Sequence, residues 1–334
     1  MEKYKVSNKD LILFITITFV LTILMGFAMG AAYTRASVDS FPLVQMYYPA
    51  IGAMVTLLLN KRLRKELPKN FFSIFLFFTI TSILYLLFSI FILHKDPNDH
   101  LTFWLFIGSI SLILGYNMDS ETSIESFGLK FMINNKSALI NTLLFVGIYM
   151  ISLFIVPLFT GEVSSYIEPF KTLKTWFMLC LLPLSFLTNF PLFLGEEYGW
   201  RYFLQPALQE RMGKVKGVII LGIIWGIWHL PINMFYYSPE TPFHSIINQL
   251  IGCIAYSVFL GYVYMKTENI WAISMIHFLN NSLGNVLYGA TGTNLVYTWD
   301  AVLLNLIIFS ILYLPFLLAK EYRKVDMEDK ELVE

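Results

Sequence analysis

The chain has 334 residues, of which 57% are hydrophobic and 14% charged, and its 23 basic and 23 acidic residues cancel. A neutral, strongly apolar chain has no electrostatic footprint for nucleic acid, so that class of partner is excluded. Two cysteines, Cys180 and Cys253, both lie in apolar runs, which rules out a disulfide framework and reads them as small packing residues.

In chain order, apolar runs long enough to cross a bilayer occupy 10–33, 41–60, 71–94, 101–117, 139–160, 175–195, 217–236, 246–265, 270–290 and 301–319. The first is longer than a signal-peptide core and nine more follow it, so it reads as a retained helix. The pattern predicts an all-α, polytopic membrane protein of about ten transmembrane helices, in the cell membrane if the host is bacterial or archaeal. With the N-terminus inside, 19 of the 23 Lys and Arg residues fall on the inner side. Only Arg35, Lys95, Lys171 and Lys174 fall outside. The positive-inside rule therefore places both termini in the cytoplasm.

The segment 118–138 is polar and reads as a cytoplasmic connector with a short amphipathic helix around 124–132. It separates an N-terminal membrane part, 1–138, from a six-span part, 139–319, followed by a charged cytoplasmic tail, 320–334. The four N-terminal spans carry no Asp, Glu or Arg well inside them, and this part is expected to be structural.

Polar side chains inside the C-terminal spans gather in three places. Glu196, Glu197 and Arg201 close the span 175–195; His229 lies within 217–236; His277, Asn280 and Asn281 lie within 270–290. Charges at bilayer depth cost several kcal/mol and need a reason. The triplet is expected near the cytoplasmic face. His277 lies roughly 10 Å and His229 roughly 18 Å from the same face at 1.5 Å per residue, so three spans can converge on one pocket. Glu197 and Arg201, at i,i+4, share a helix face and are expected to pair. Glu196 is left without that partner, which suits a general base. His277 and Asn281 are also i,i+4 and point the same way. Pro191 and Pro231 free backbone carbonyls beside the proposed pocket. The competing structural explanation puts the charges among lipid headgroups and gives each histidine a hydrogen bond to a neighbouring helix.

Other intramembrane chemistries are tested by absence. No HExxH motif occurs, no Gly-x-Ser occurs, and none of the eight Asp residues lies well inside a span. A zincin helix, the rhomboid nucleophile signature and a presenilin-type aspartyl dyad are thereby removed.

Glu-Glu-x-x-x-Arg at 196–201, Trp-x-x-x-His at 225–229 and His-x-x-x-Asn at 277–281 resemble the three motifs of the CPBP family, the CAAX proteases and bacteriocin-processing enzymes. The flanks RYFLQPALQERMG, WHLP and GYVYMKTENIWAISMIHFLNNSLG resemble it too, over about 175–290. The second motif more often begins with Phe, and Trp225 keeps the aromatic character. The resemblance implies an endopeptidase opening to the cytoplasmic side. Glu196 and His229 would activate water, His277 and Asn281 would donate to the oxyanion, and Glu197 and Arg201 would support them. The same residues allow a metal version, with one Zn ion on Glu196, His229 and His277; the alternative is no cofactor. The implied partners are the lipid bilayer and a peptide or protein substrate, with or without a lipid: a CAAX tail if the host prenylates proteins, otherwise a peptide pheromone, a bacteriocin or a membrane-protein segment. The competing classes are a proton-coupled transporter, against which no matching halves are seen, and a non-catalytic scaffold, against which every motif position is filled.

Overall fold

The computed structural model describes residues 4–290 and 292–323. The part of the charged tail beyond Arg323 lies outside the described residues. Helices α1 (Asn8–Ala32), α2 (Ser40–Leu59), α3 (Lys69–Leu93), α4 (Asn98–Met118), α5 (Asn135–Phe159), α6 (Leu173–Met212), α7 (Lys214–Trp228) with α8 (Leu230–Tyr237), α9 (Pro242–Thr267), α10 (Ile270–Tyr288) and α11 (Trp299–Leu318) follow the expected runs. No strand occurs among the described residues. Eight of these helices are long and apolar enough to span a membrane, and α7 with α8 makes a ninth pass bent by 44°. The remaining helix, α10, is as long as a span but more polar and more deeply packed. Large apolar side chains such as Phe27 and Phe159 stand fully outward, as they do where lipid is the solvent. The protein is a polytopic helical membrane protein.

Local sequence accounts for the ends of the helices. Ser7 and Asp10 form a capping box that starts α1. Asn269 starts α10: its side-chain oxygen accepts from the amides of Trp271 and Ala272 at 3.0 and 3.1 Å, while its amide donates to the carbonyls of Phe131 and Ile133. The connector helix is Glu121–Ser126, capped by Ser120, rather than one centred on 124–132. Gly128 turns the chain away at φ +70°, a conformation that glycine adopts without strain.

Successive passes alternate between two ends of the bundle. At one end Asn70 donates to Asp119, Asn134 to the Thr267 carbonyl, and Arg211 to the Val6 carbonyl. At the other, Tyr288 donates to the Tyr166 carbonyl, Leu295 to that of Tyr237, and Tyr297 to the Thr241 hydroxyl. The first end carries the segments rich in Lys and Arg and is called the basic end below.

The largest departure from expectation concerns α6. Its helical path does not stop at residue 195 but runs to Met212 through a π-helical stretch, Tyr198–Leu204. Glu197 and Arg201 are therefore not at a helix terminus among headgroups; both are completely buried in the bundle. Charges that look like a boundary in sequence are neutralised internally instead. The N-terminal helices share one apolar core with the rest. Gly195 and Gly199 let α6 close onto α2: a Cβ at Gly195 would stand 2.6 Å from the Met46 carbonyl oxygen, and one at Gly199 2.3 Å from the Pro49 ring. Cys180 is exposed, whereas Cys253 is buried; both are free thiols, and only the second packs as expected.

Candidate active site

Trp225 organises the site. Its indole Nε1–H donates to Glu196 Oε2 at 2.8 Å, and its carbonyl accepts from His229 Nδ1 at 2.8 Å. That carbonyl is available because the α-helix breaks beside it. The His229 amide reaches back only three residues, to Gly226, and His229 itself sits at φ −80°, ψ 0° ahead of Pro231. A second freed carbonyl, that of Trp228, accepts from Gln45 of α2 at 2.9 Å. A carbonyl can only accept, so His229 Nδ1 carries the proton and Nε2 presents a lone pair.

Glu197 faces the other way and serves two partners. Its Oε2 lies 3.3 Å from Arg201 Nε, as the i,i+4 spacing predicts, and its Oε1 lies 2.7 Å from His277 Nδ1 on α10. Arg201 stands over the Trp225 ring, 4.8 Å from its centroid. The His277 ring meets Trp225 and Phe193 edge-on. The π-helical stretch after Glu197 is the kind of local irregularity often found at functional sites.

Glu196, His229 and His277 are each at least 94% buried, and with Asn281 they line one cavity of about 600 Å³. Asn281 is exposed, and its side-chain oxygen accepts from Asn280 at 3.1 Å. The structure thus brings together all four residues predicted to carry chemistry, with Glu197 and Arg201 packed against them. Sequence reasoning missed the Glu197–His277 contact, the indole donor to Glu196, and the contribution of α2 through Gln45 and through Met46, which also lines the cavity. Among the described residues no three His, Cys, Asp or Glu side chains are grouped to hold a metal ion.

The outer lining of the cavity is formed by Asp39, Tyr236, Tyr237, Asn285, Ala290 and Gly292, all at the end of the bundle opposite the basic end. Spacing along the sequence gave the depth of the side chains but carried no information about which way the space between them leads.

Residues 173–283 match the family described as Type II CAAX prenyl endopeptidase Rce1-like. The chain is also 27% identical over 181 residues to the "CAAX prenyl protease 2" of Methanococcus maripaludis, a match covering 52% of this chain and 64% of that relative. The aligned region thus spans less than two thirds of the relative's length. No solved structure gives a significant match. Both similarities are to CAAX prenyl endopeptidases, and the family match spans the stretch that carries the three motifs.

Proposed function

We propose that the protein is an intramembrane endopeptidase that hydrolyses a peptide bond with a water molecule activated by Glu196 and His229. The observation that carries this reading is the double anchoring by Trp225, which fixes a carboxylate through its indole and an imidazole through its carbonyl at the floor of one cavity. Water held between Glu196 and His229 Nε2 gives up a proton to this pair as its oxygen attacks the peptide carbonyl carbon. The tetrahedral oxyanion takes hydrogen bonds from His277 Nε2–H and Asn281 Nδ2–H, donors commonly worth about 3 kcal/mol each in such a role. For His277 to donate from Nε2 while Nδ1–H is bound to Glu197, the ring must carry both protons, and the Glu197 carboxylate supplies the counter-charge. The C–N bond then breaks as the proton taken from water passes to the leaving nitrogen, yielding a carboxylate and an amine.

Glu197 and Arg201 are positioning residues in this scheme: they hold His277 and brace α6 without touching the substrate. No step requires a metal. The test is incubation of the purified protein with a quenched fluorescent peptide library. Wild type is expected to cleave a subset of peptides and Glu196→Gln none. Equal cleavage by the two proteins refutes the mechanism.

A further inference from the structure

Helix α10 gives the cavity more than the two groups already placed at the reacting carbonyl. Beyond His277 and Asn281, its lining continues through Gly284 and Asn285. Asn281, Gly284 and Asn285 stand at i, i+3 and i+4 and share one face, with the glycine inside the interval between two exposed carboxamides. Four residues of helix advance roughly 6 Å at 1.5 Å per residue. Two residues of an extended chain advance about 6.6–6.8 Å, and successive carbonyls on one side of it recur at that interval. The two repeats agree to within about 1 Å. A strand laid along α10 therefore meets both carboxamides with main-chain groups of one orientation.

The chemistry of this wall suits a peptide main chain. Asn281 accepts from Asn280 through Oδ1 at 3.1 Å, which leaves its Nδ2–H groups to donate. Asn285 carries the same amide one turn further along. On α9, Gln249 donates to Cys253 Sγ at 3.5 Å and keeps Oε1 as an acceptor for a peptide N–H. Among the described residues no Lys or Arg lines the cavity, so neutral hydrogen bonds rather than cations are on offer. Gly284 removes the side chain that would hold a strand away from α10; a methyl group there would stand 3.2 Å from Tyr149 Oη. A helical substrate has no use for such a wall, because its carbonyls are already engaged in internal bonds.

We propose that Asn285 is a substrate-binding residue, donating to the main-chain carbonyl two residues from the scissile one. The substrate is then held as an extended segment read on α10 through its main chain, not its side chains. The register relative to the scissile bond rests on the peptidase reading above; the contact itself rests on the cavity alone.

The test uses the full-length protein with Asn285→Ala and with Asn285→Asp, which keeps the shape but not the donor. Both are expected to melt as wild type does and to raise KM about 3- to 10-fold at unchanged kcat, as for one lost neutral hydrogen bond. The rise is expected for every cleaved peptide of the quenched library, whatever its side chains. It is expected to vanish on peptides shortened, at one end or the other, to lack the residue two from the scissile bond. An unchanged KM, a rise that persists on both shortened series, or a rise tied to one side chain overturns the proposal. Separately, binding of the same peptides, labelled but without quencher, to the Glu196→Gln protein is read by fluorescence anisotropy. Weaker binding after adding Asn285→Ala upholds the contact even if the unsubstituted protein cleaves no peptide, a result that overturns the peptidase reading alone. Equal binding, or none, overturns the proposal.

Discussion

Trp225 and Glu196 are joined by a 2.8 Å hydrogen bond from indole nitrogen to carboxylate oxygen, buried in the bundle. The bond fixes one oxygen of Glu196, a residue that lines the cavity. Where an aromatic residue without a donor stood at position 225, the ring would still pack but the carboxylate would turn freely. Trp225→Phe is therefore expected to keep the fold and lower kcat by about 10- to 100-fold, the equivalent of losing a hydrogen bond to a charged group worth about 1.5–3 kcal/mol. Steady-state kinetics beside a thermal melt check this. A melt shifted as far as the rate would assign Trp225 to packing alone.

The Glu197 contacts separate stability from catalysis. Glu197→Gln leaves Arg201 buried without its counter-charge, a loss of about 3–5 kcal/mol for a broken buried pair. The double change Glu197→Gln, Arg201→Gln is expected to regain most of the melting temperature. Activity is not expected to return with it, because His277 still lacks its carboxylate partner. Recovery of both together would mean that the His277 contact has no bearing on the reaction.

His277 and Asn281 discriminate between the oxyanion and metal readings. As oxyanion donors, each alanine change lowers kcat by on the order of 10²–10³. The double change then costs less than the product, as groups acting on one charge are not additive. Metal analysis of the purified active protein is expected to find no stoichiometric zinc. Zinc bound to wild type and lost in His277→Ala would replace the water-activation scheme with a metal-assisted one.

Gly199 offers a purely steric test of the seam between α6 and α2. A methyl group there meets the Pro49 ring and backbone within 2.6 Å, so Gly199→Ala must push the helices apart. The expected cost is about 1–3 kcal/mol, read as a lowered melting temperature in detergent. Gly147, which has nothing within 4 Å, serves as the control and is expected to tolerate alanine.

The apolar runs were legible because bilayer thickness imposes a length on each helix, and nine of the ten expected spans match helices closely. The exception, α6, shows the limit of that signal. Glu196, Glu197 and Arg201 end an apolar run, yet their partners Trp225 and His277 lie 29 and 80 residues away from the glutamates they contact. A window sliding along the chain cannot see a charge neutralised from another helix. The i,i+4 pair Glu197–Arg201 was readable because both ends lie on one helix. The His277 contact was not, although a histidine at bilayer depth did signal that some polar partner existed. The role of Gln45 had no sequence signal at all, since a glutamine in an apolar run says nothing about which carbonyl it will cap.

The seam between α2 and α6 also bears on how such a protein can change over time. Residues 173–283 carry the motifs, but α2 holds the Trp228 carbonyl through Gln45 and lines the cavity through Met46. The reacting groups and part of the wall they face are thus encoded in separate stretches of the chain. Exchange of the N-terminal stretch between relatives would redraw the entrance while leaving the hydrolytic residues untouched, provided the exchanged helix still lay flat against Gly195 and Gly199. A new substrate preference is then a matter of recombination at one helix seam, not of altering the catalytic motifs.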